Sequence, residues 1–426
     1  MFNQLFKMTY MKKYSLTYIL LLLILLLGCK EEGPKAWQSA ALEKYNVTAI
    51  PGGAIIDYAI PKEKDILYIM AEYERNGKIF TEKSSIYKNQ LTIEGFNTTK
   101  PVKVALYKVN EQEQRSEPLH IEFTPLESPI SLAYKSIDFA TAFGGINVLW
   151  KNITQTTLGL RLMIEKEGKL ETEEVYYSQL PTELRAFRGY KDTLTVFAIS
   201  LEDKWGNISD TIYYETTPFY ETEIAKPFVD MRAVIPYDNK TSLYGETYNL
   251  DKMWNGIIGP SNDGFITEAG DYGTSFTFDL KKVVKLSRMI MWPRMVPDKV
   301  HTFASHNPLE FEMWGTTKLD PQKLAIPDYW LDDFSAPEGT VIPEHTFKDD
   351  WTYIGWFEPE RIDLQGASRS EILQRGYDGH HFDISIDVAP VRYIRVFIRR
   401  TAFGSPPYQL IVGEWSFFGD DTVPQE

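Results

Sequence analysis

The most regular hydrophobic pattern in the chain lies near its C-terminus, in Val391 to Gly419, VRYIRVFIRRTAFGSPPYQLIVGEWSFFG. Ile394, Val396 and Ile398 fall on one face of an extended segment and Tyr393, Arg395, Phe397 and Arg399 on the other, the period of two of a half-buried strand. Thr401 to Tyr408 then reads as a loop, with Gly404 and the pair Pro406-Pro407, before a closing strand with Glu414, Trp415, Phe417 and Phe418 that stops at Gly419. Upstream, TSFTFDL (Thr274 to Leu280) alternates Phe276, Phe278 and Leu280 inward, and Val283, Val284, Leu286, Met289, Ile290 and Met291 follow. NPLEFEMWGTTKLDP places Leu309, Phe311 and Met313 on one face before a turn at Gly315, and DDWTYIGWFE (Asp349 to Glu358) gives a Trp-containing strand.

Two earlier stretches echo each other. Gly52-Gly53 in VTAIPGGAIIDYAIP and Gly144-Gly145 in FATAFGGINVLWKN lie about 90 residues apart, and each opens an alternating apolar run. The echo continues in LYIMAEYERNGK against LRLMIEKEGK, and in VKVALYKVNEQEQRSEPLHIEFTPL against LTVFAISLEDKWGNISDTIYYETTP. A repeat of that length, built from roughly seven short strands, fits a fibronectin-III-like sandwich. The prolines at 125, 129 and 218 mark the joints. They place the first module at residues 37–125, the second at 127–218, a third domain at 219–420 and a short tail at 421–426.

Residues 1–28 read as a targeting segment rather than structure. Lys12 and Lys13 precede the apolar run Leu16 to Leu27, too short for a bilayer span but suited to the h-region of a signal peptide, and Met11 offers a second start. The run ends Leu26-Leu27-Gly28-Cys29, which resembles a bacterial lipobox; the resemblance implies a diacylated Cys29 as the mature N-terminus, with residues 29–36 as tether. Lys30-Glu31-Glu32 is similar to the surface-export signal of Bacteroidota lipoproteins, which implies the outer membrane, facing outward. Cys29 is the only cysteine, so once lipidated it leaves no thiol for a disulfide, a nucleophile or a zinc site. The formal charge of −14 includes Lys7, Lys12 and Lys13 of the leader, so the mature chain carries about −17. That balance disfavours nucleic acid and anionic membrane surfaces, and membrane contact is expected through the lipid alone.

The C-terminal ending, an arginine-bearing strand, an irregular loop and a Glu-aromatic strand, resembles that of discoidin-like (coagulation factor 5/8 type C) domains. In that family Thr274 to Met291 would form the first long hairpin, and the segments around Phe311 and Trp356 follow in the same order, covering roughly residues 225 to 420. The expected architecture is therefore all-β: two fibronectin-III/immunoglobulin-like sandwiches followed by a discoidin-like jelly-roll sandwich. Lipobox, two fibronectin-like repeats and a discoidin-like domain together resemble Bacteroidota surface lipoproteins associated with polysaccharide-utilisation loci. The resemblance implies non-catalytic glycan capture beside an uptake system. The alternative is an adhesion role, with the third domain docking a partner protein of the surface complex.

Sugar binding needs a flat aromatic for the apolar face of the ring and planar polar groups for vicinal hydroxyls. Three loops supply them: Trp292-Pro293-Arg294 through His301 and His306-Asn307, then Met253-Trp254-Asn255-Gly256, and Phe403 to Tyr408. The resemblance implies that these loops converge at one end of the domain. Candidate ligand residues are Trp292, Arg294, His301, His306, Phe403 and Tyr408. Trp254 falls where the family usually buries an apolar residue; Trp292 and Tyr408 suit packing as well as they suit a platform. A structural calcium, common in such domains, would use Glu414 and Asp251, but the turn reads Asn255-Gly256 where Asp-Gly is usual, so one carboxylate is missing. The alternative for Glu414 is a hydrogen bond to the backbone of that turn. For an enzyme, the chain offers no Gly-x-Ser-x-Gly, no P-loop or dinucleotide fingerprint and no histidine pair at helical metal spacing. His380-His381 would point opposite ways in a strand. A glycosidase would need two carboxylates across a cleft, and three small sandwiches offer no obvious catalytic barrel, so no catalytic activity is expected.

Overall fold

The computed structural model describes residues 37–59, 61–63, 65–238, 242, 244–261, 263–268, 274–295, 302–332, 336, 339–404 and 409–425. The chain is nearly all β. Seven strands build the first sandwich: β1 (Tyr45–Ile50), β2 (Gly53–Tyr58), β3 (Ile66–Arg75), β4 (Lys78–Ser85), β5 (Gln90–Ile93), β6 (Val102–Asn110) and β7 (Leu119–Phe123). They form one sheet in the order β1-β2-β5 and another in the order β4-β3-β6-β7. The second sandwich has β8 (Asp138–Ala142), β9 (Gly145–Lys151), β10 (Leu158–Lys166), β11 (Lys169–Ser178), β12 (Thr182–Phe187), β13 (Thr195–Asp203) and β14 (Ile212–Thr216). Its sheets, β12-β9-β8 and β11-β10-β13-β14, repeat the first strand for strand. Inward residues such as Ile56, Ile69 and Leu106 in the first, and Trp150, Leu160 and Phe197 in the second, close a dry core between the two sheets. Burying each such side chain contributes about 1.5–3 kcal/mol.

The repeated Gly-Gly has a steric cause. Gly52 and Gly144 turn with φ of +67° and +62°, and a Cβ on Gly53 or Gly145 would sit 2.0 Å from the Ile93 carbonyl oxygen or 1.9 Å from that of Phe187. The same turn clamps the chain as it leaves each module. Gly52 N–H donates to Leu126 O (3.0 Å) and Leu126 N–H to Ile50 O (3.1 Å); Gly144 N–H donates to Phe219 O (2.8 Å) and Phe219 N–H to Ala142 O (3.0 Å). Between the first two modules, Asn207 Nδ2 donates to Gly95 O (3.0 Å), and the Trp205 ring occupies the space a Cβ on Gly95 would need.

In the third domain the strands are β15 (Thr222–Glu223), β16 (Val229–Asp230), β17 (Phe265–Ile266), β18 (Thr274–Met291), β19 (Pro308–Thr316), β20 (Thr352–Phe357), β21 (His380–Asp383), β22 (Val391–Thr401), β23 (Ile411–Val412) and β24 (Trp415–Asp420). The expected first hairpin is instead the single strand β18. Its first part pairs with β22 (Phe276 opposite Val396) and its second with β24 (Met289 opposite Phe417). The change of partner follows Lys281, at φ +72°, whose N–H is held by Asp279 Oδ1 at 2.7 Å; this irregularity bends the strand, so one element serves two pairings. Phe276, Phe278, Met289, Trp415 and Phe417 fill the core between the layers.

The reading of β22 as half-buried also needs correction. Ile394, Val396 and Ile398 do face the main core, but Phe397 and Arg395 on the opposite face are buried too. Segments around Trp330 and Phe347 fold over that face and enclose it in a second aromatic cluster. Arg399, nearby, is held by both oxygens of Asp332 (2.7 and 2.9 Å) and by Glu312. Burial alone would raise the Asp332 carboxyl, yet Arg399 and Lys348 beside it hold it well below the usual carboxylate range.

Candidate functional site

Asn307 organises one end of the third domain. It is buried; its Oδ1 accepts from the Arg294 N–H (3.1 Å), its Nδ2 donates to Ala304 O (3.1 Å) and its carbonyl accepts from the Ala402 N–H (3.0 Å). One residue thus joins the segment after β18, the segment before β19 and the loop after β22. The Ile411 N–H, donating to His306 O at 3.1 Å, adds the start of β23.

On this frame the His306 ring stacks on Phe403, with centroids 4.7 Å apart and planes 27° apart. Phe403 is 65% exposed, so much of its ring surface faces solvent. Burial pushes the His306 imidazole below its ordinary pKa, so at pH 7 it is a neutral ring able to donate at one nitrogen and accept at the other. The Arg294 guanidinium lies over the Tyr248 ring, 5.6 Å from its centroid. The structure therefore brings Arg294, His306 and Phe403 to one end, and adds Tyr248. No pattern in the sequence marks Tyr248, which precedes a short 3₁₀ turn, Leu250–Trp254. Asn307 lies in a loop flagged by its prolines, where its role depends on contacts with distant backbone.

The other expected residues fall elsewhere. Trp292 is half-buried; its indole N–H donates to Tyr377 O at 3.0 Å and its ring packs over Gly379, so it covers the end of the ten-residue helix Arg369–Asp378. Trp254 is buried in the main core, its ring 5.2 Å from Phe228 and 5.4 Å from Phe278. Cys29, His301 and Tyr408 lie outside the described residues.

The donor set around Glu414 does not fit calcium. Its carboxylate is buried; Oε1 accepts from the Lys226 ammonium and Oε2 from the Gly256 N–H at 3.0 Å. Burial raises the Glu414 pKa, and Lys226 and the turn's N–H groups oppose that rise. Asp251 is exposed and lies 3.9 Å from Lys252. Among the described residues no three His, Cys, Asp or Glu side chains gather to hold a metal. An ammonium beside one carboxylate leaves neither the oxygens nor the charge a calcium ion requires.

His380 in β21 is also buried, packed 5.2 Å from the Phe303 ring. Burial, aided by Arg375, pushes its imidazole down to about 4. Above pH 6.5 it is neutral both folded and unfolded; as pH falls from 6.5 towards 4, the unfolded chain takes up a proton that the folded chain refuses. Stability should therefore fall by about 3 kcal/mol over that window. Urea titrations at a series of pH values check this: His380→Leu should remove that part of the pH dependence, and an unchanged slope would refute it.

Comparison with known proteins gives three successive family matches, each described only as a domain of unknown function: DUF4959 over residues 39–125, DUF5126 over 126–227 and DUF5000 over 254–419. No curated protein matches the sequence. Among solved structures the chain is similar to a SusE-like protein, at 21% identity and TM-score 0.37, covering 68% of this chain and 99% of that one. It is similar to CBM32-3 of a family 31 glycoside hydrolase from Clostridium perfringens, at 14% identity and TM-score 0.26, covering 42% and 87%. A third likeness is to a two-domain fibronectin type-III segment of chicken tenascin, at 12% identity and TM-score 0.20, covering 41% and 98%.

Proposed function

We propose that this protein is a non-catalytic glycan-binding lipoprotein of the outer-membrane surface, an accessory to polysaccharide capture and uptake. Cys29 carries the lipid, the two sandwiches form a stalk, and the loop end of the third domain holds the sugar. No helix among the described residues is long and apolar enough to cross a membrane. The observation that carries the reading is the His306–Phe403 stack: an exposed aromatic face, preorganised by its neighbour, at the end of the domain that also carries the Arg294 guanidinium. An aromatic surface for the C–H face of a pyranose and planar donors for its hydroxyls suit such a ligand.

The test is a glycan array followed by calorimetry on the chain without its leader. Phe403→Ala and Arg294→Ala should each weaken binding by about 1–3 kcal/mol, the usual cost of losing an aromatic contact or a charged hydrogen bond. The melting temperature of Phe403→Ala should stay within a degree or two of the parent, because the ring is exposed. Full affinity in a folded double variant would place the ligand elsewhere.

A further inference from the structure

We propose that the cleft between the second sandwich and the third domain is a second sugar-binding site, one that takes a stretch of neutral oligosaccharide leading away from the loop end. This rests on the glycan reading and extends it to chain length. The cleft holds about 780 Å³, within the range of ligand sites and at a domain boundary, where such sites concentrate. One wall is the end of β12 in the second sandwich, with Arg185 and Arg188; the other is Arg288 of β18, Arg375 of the Arg369–Asp378 helix, and β21.

The chemistry of the lining selects the ligand. Each arginine is fixed by a carboxylate: Arg185 by Glu174 (2.6 Å), Arg188 by Asp383 (2.8 Å), Arg288 by Glu221 (3.1 Å) and Arg375 by Glu360 (3.1 Å). Held in this way, the guanidiniums lose little freedom on binding, and each has five N–H groups to distribute. Four carboxylates in the lining match the four arginines, so an anionic polymer gains no net attraction. Hydroxyl groups, which donate and accept at once, suit a wall of alternating guanidiniums and carboxylates. Two buried nitrogens of lining residues, Arg185 Nε and His380 Nδ1, have no hydrogen-bond partner among the described residues. Continuity with the loop end comes through Gly379, which lines the cleft: a Cβ there would lie 3.0 Å from Trp292 Nε1. Trp292 is the residue at which β18 runs out into the loop end.

Calorimetry with the leaderless chain and a panel of neutral hexasaccharides (cello-, xylo-, manno-, malto- and laminarihexaose), each beside its disaccharide, tests this. The wild type should bind its preferred hexasaccharide about tenfold or more tightly than the disaccharide. Arg185→Gln with Arg375→Gln should remove about that factor and leave disaccharide affinity as it was, one charged hydrogen bond amounting to roughly tenfold. Phe403→Ala should weaken both ligands. If the arginine variants unfold, Ala186→Trp, which fills the cleft without breaking an ion pair, should do the same as they were meant to. Cleft variants that bind the hexasaccharide like the wild type overturn the second site and leave the loop-end reading standing. A wild type that binds no member of the panel overturns both.

Discussion

Asp238→Ala should cost the third domain about 3–5 kcal/mol, read as an earlier unfolding transition by tryptophan fluorescence, because it strands a buried guanidinium. Arg395 has no solvent exposure. Its Nε donates to Asp238 Oδ1 at 3.1 Å, Nη1 to Trp330 O at 3.0 Å and Nη2 to Pro236 O at 3.2 Å. The rings of Phe347 and Phe397 each lie 4.7 Å from its Cζ. Remove the carboxylate and two carbonyls and three aromatic faces remain, the Trp330 ring at 5.5 Å included, with no carboxylate among the described residues hydrogen-bonded to the guanidinium. The double variant Asp238→Ala, Arg395→Met takes away the charge that has been stranded and should regain more than half of the loss. A double variant no more stable than Asp238→Ala would show that the pair acts through packing alone.

Lys226→Met should cost about 2–4 kcal/mol at pH 7 by the same logic with the sign reversed. Glu414 has a side chain only 1% exposed, and Lys226 is the ammonium that neutralises it. Without Lys226 the burial that already raises the Glu414 pKa acts unopposed by that charge, so the folded variant holds a proton more readily than the unfolded one. Lowering the pH towards 5 should then narrow the gap to the wild type, since a raised carboxylate pKa favours the folded state as acid is added. Lys226→Met with Glu414→Gln should restore most of the stability at pH 7. Wild-type melting should be the same in calcium and in a chelator; a rise with calcium would mean that a metal competes for Glu414 and that Lys226 yields to it.

Much of the fold was legible because period-two alternation and paired glycines report directly on backbone geometry. Gly52-Gly53 and Gly144-Gly145 mark the same turn in two copies because only glycine fits against Ile93 O and Phe187 O. What alternation cannot show is whether the second face of a strand is covered. Tyr393, Arg395, Phe397 and Arg399 look like a solvent face, yet Arg395 finds its carboxylate 157 residues earlier, at Asp238, and two of its aromatic neighbours, Trp330 and Phe347, in short turns distant in sequence. The length of β18 was hidden for a related reason: the bend at Lys281 reads as a hairpin turn in sequence and is a change of partner strand in space. At the candidate site, loop composition pointed to Arg294, His306 and Phe403. It could not show that Trp292 spends its N–H on Tyr377, nor that Asn307 ties the loops together. Those contacts depend on where distant backbone atoms come to rest.

The clamp that pins each module's exit to its own Gly-Gly turn has a mechanical consequence. With two backbone hydrogen bonds at each joint, and Asn207 and Arg188 bridging the modules, swivelling at the joints is suppressed. The three domains then move as one lever rather than as separate beads, and a small rotation of the first sandwich sweeps the loop end of the third domain through a wide arc.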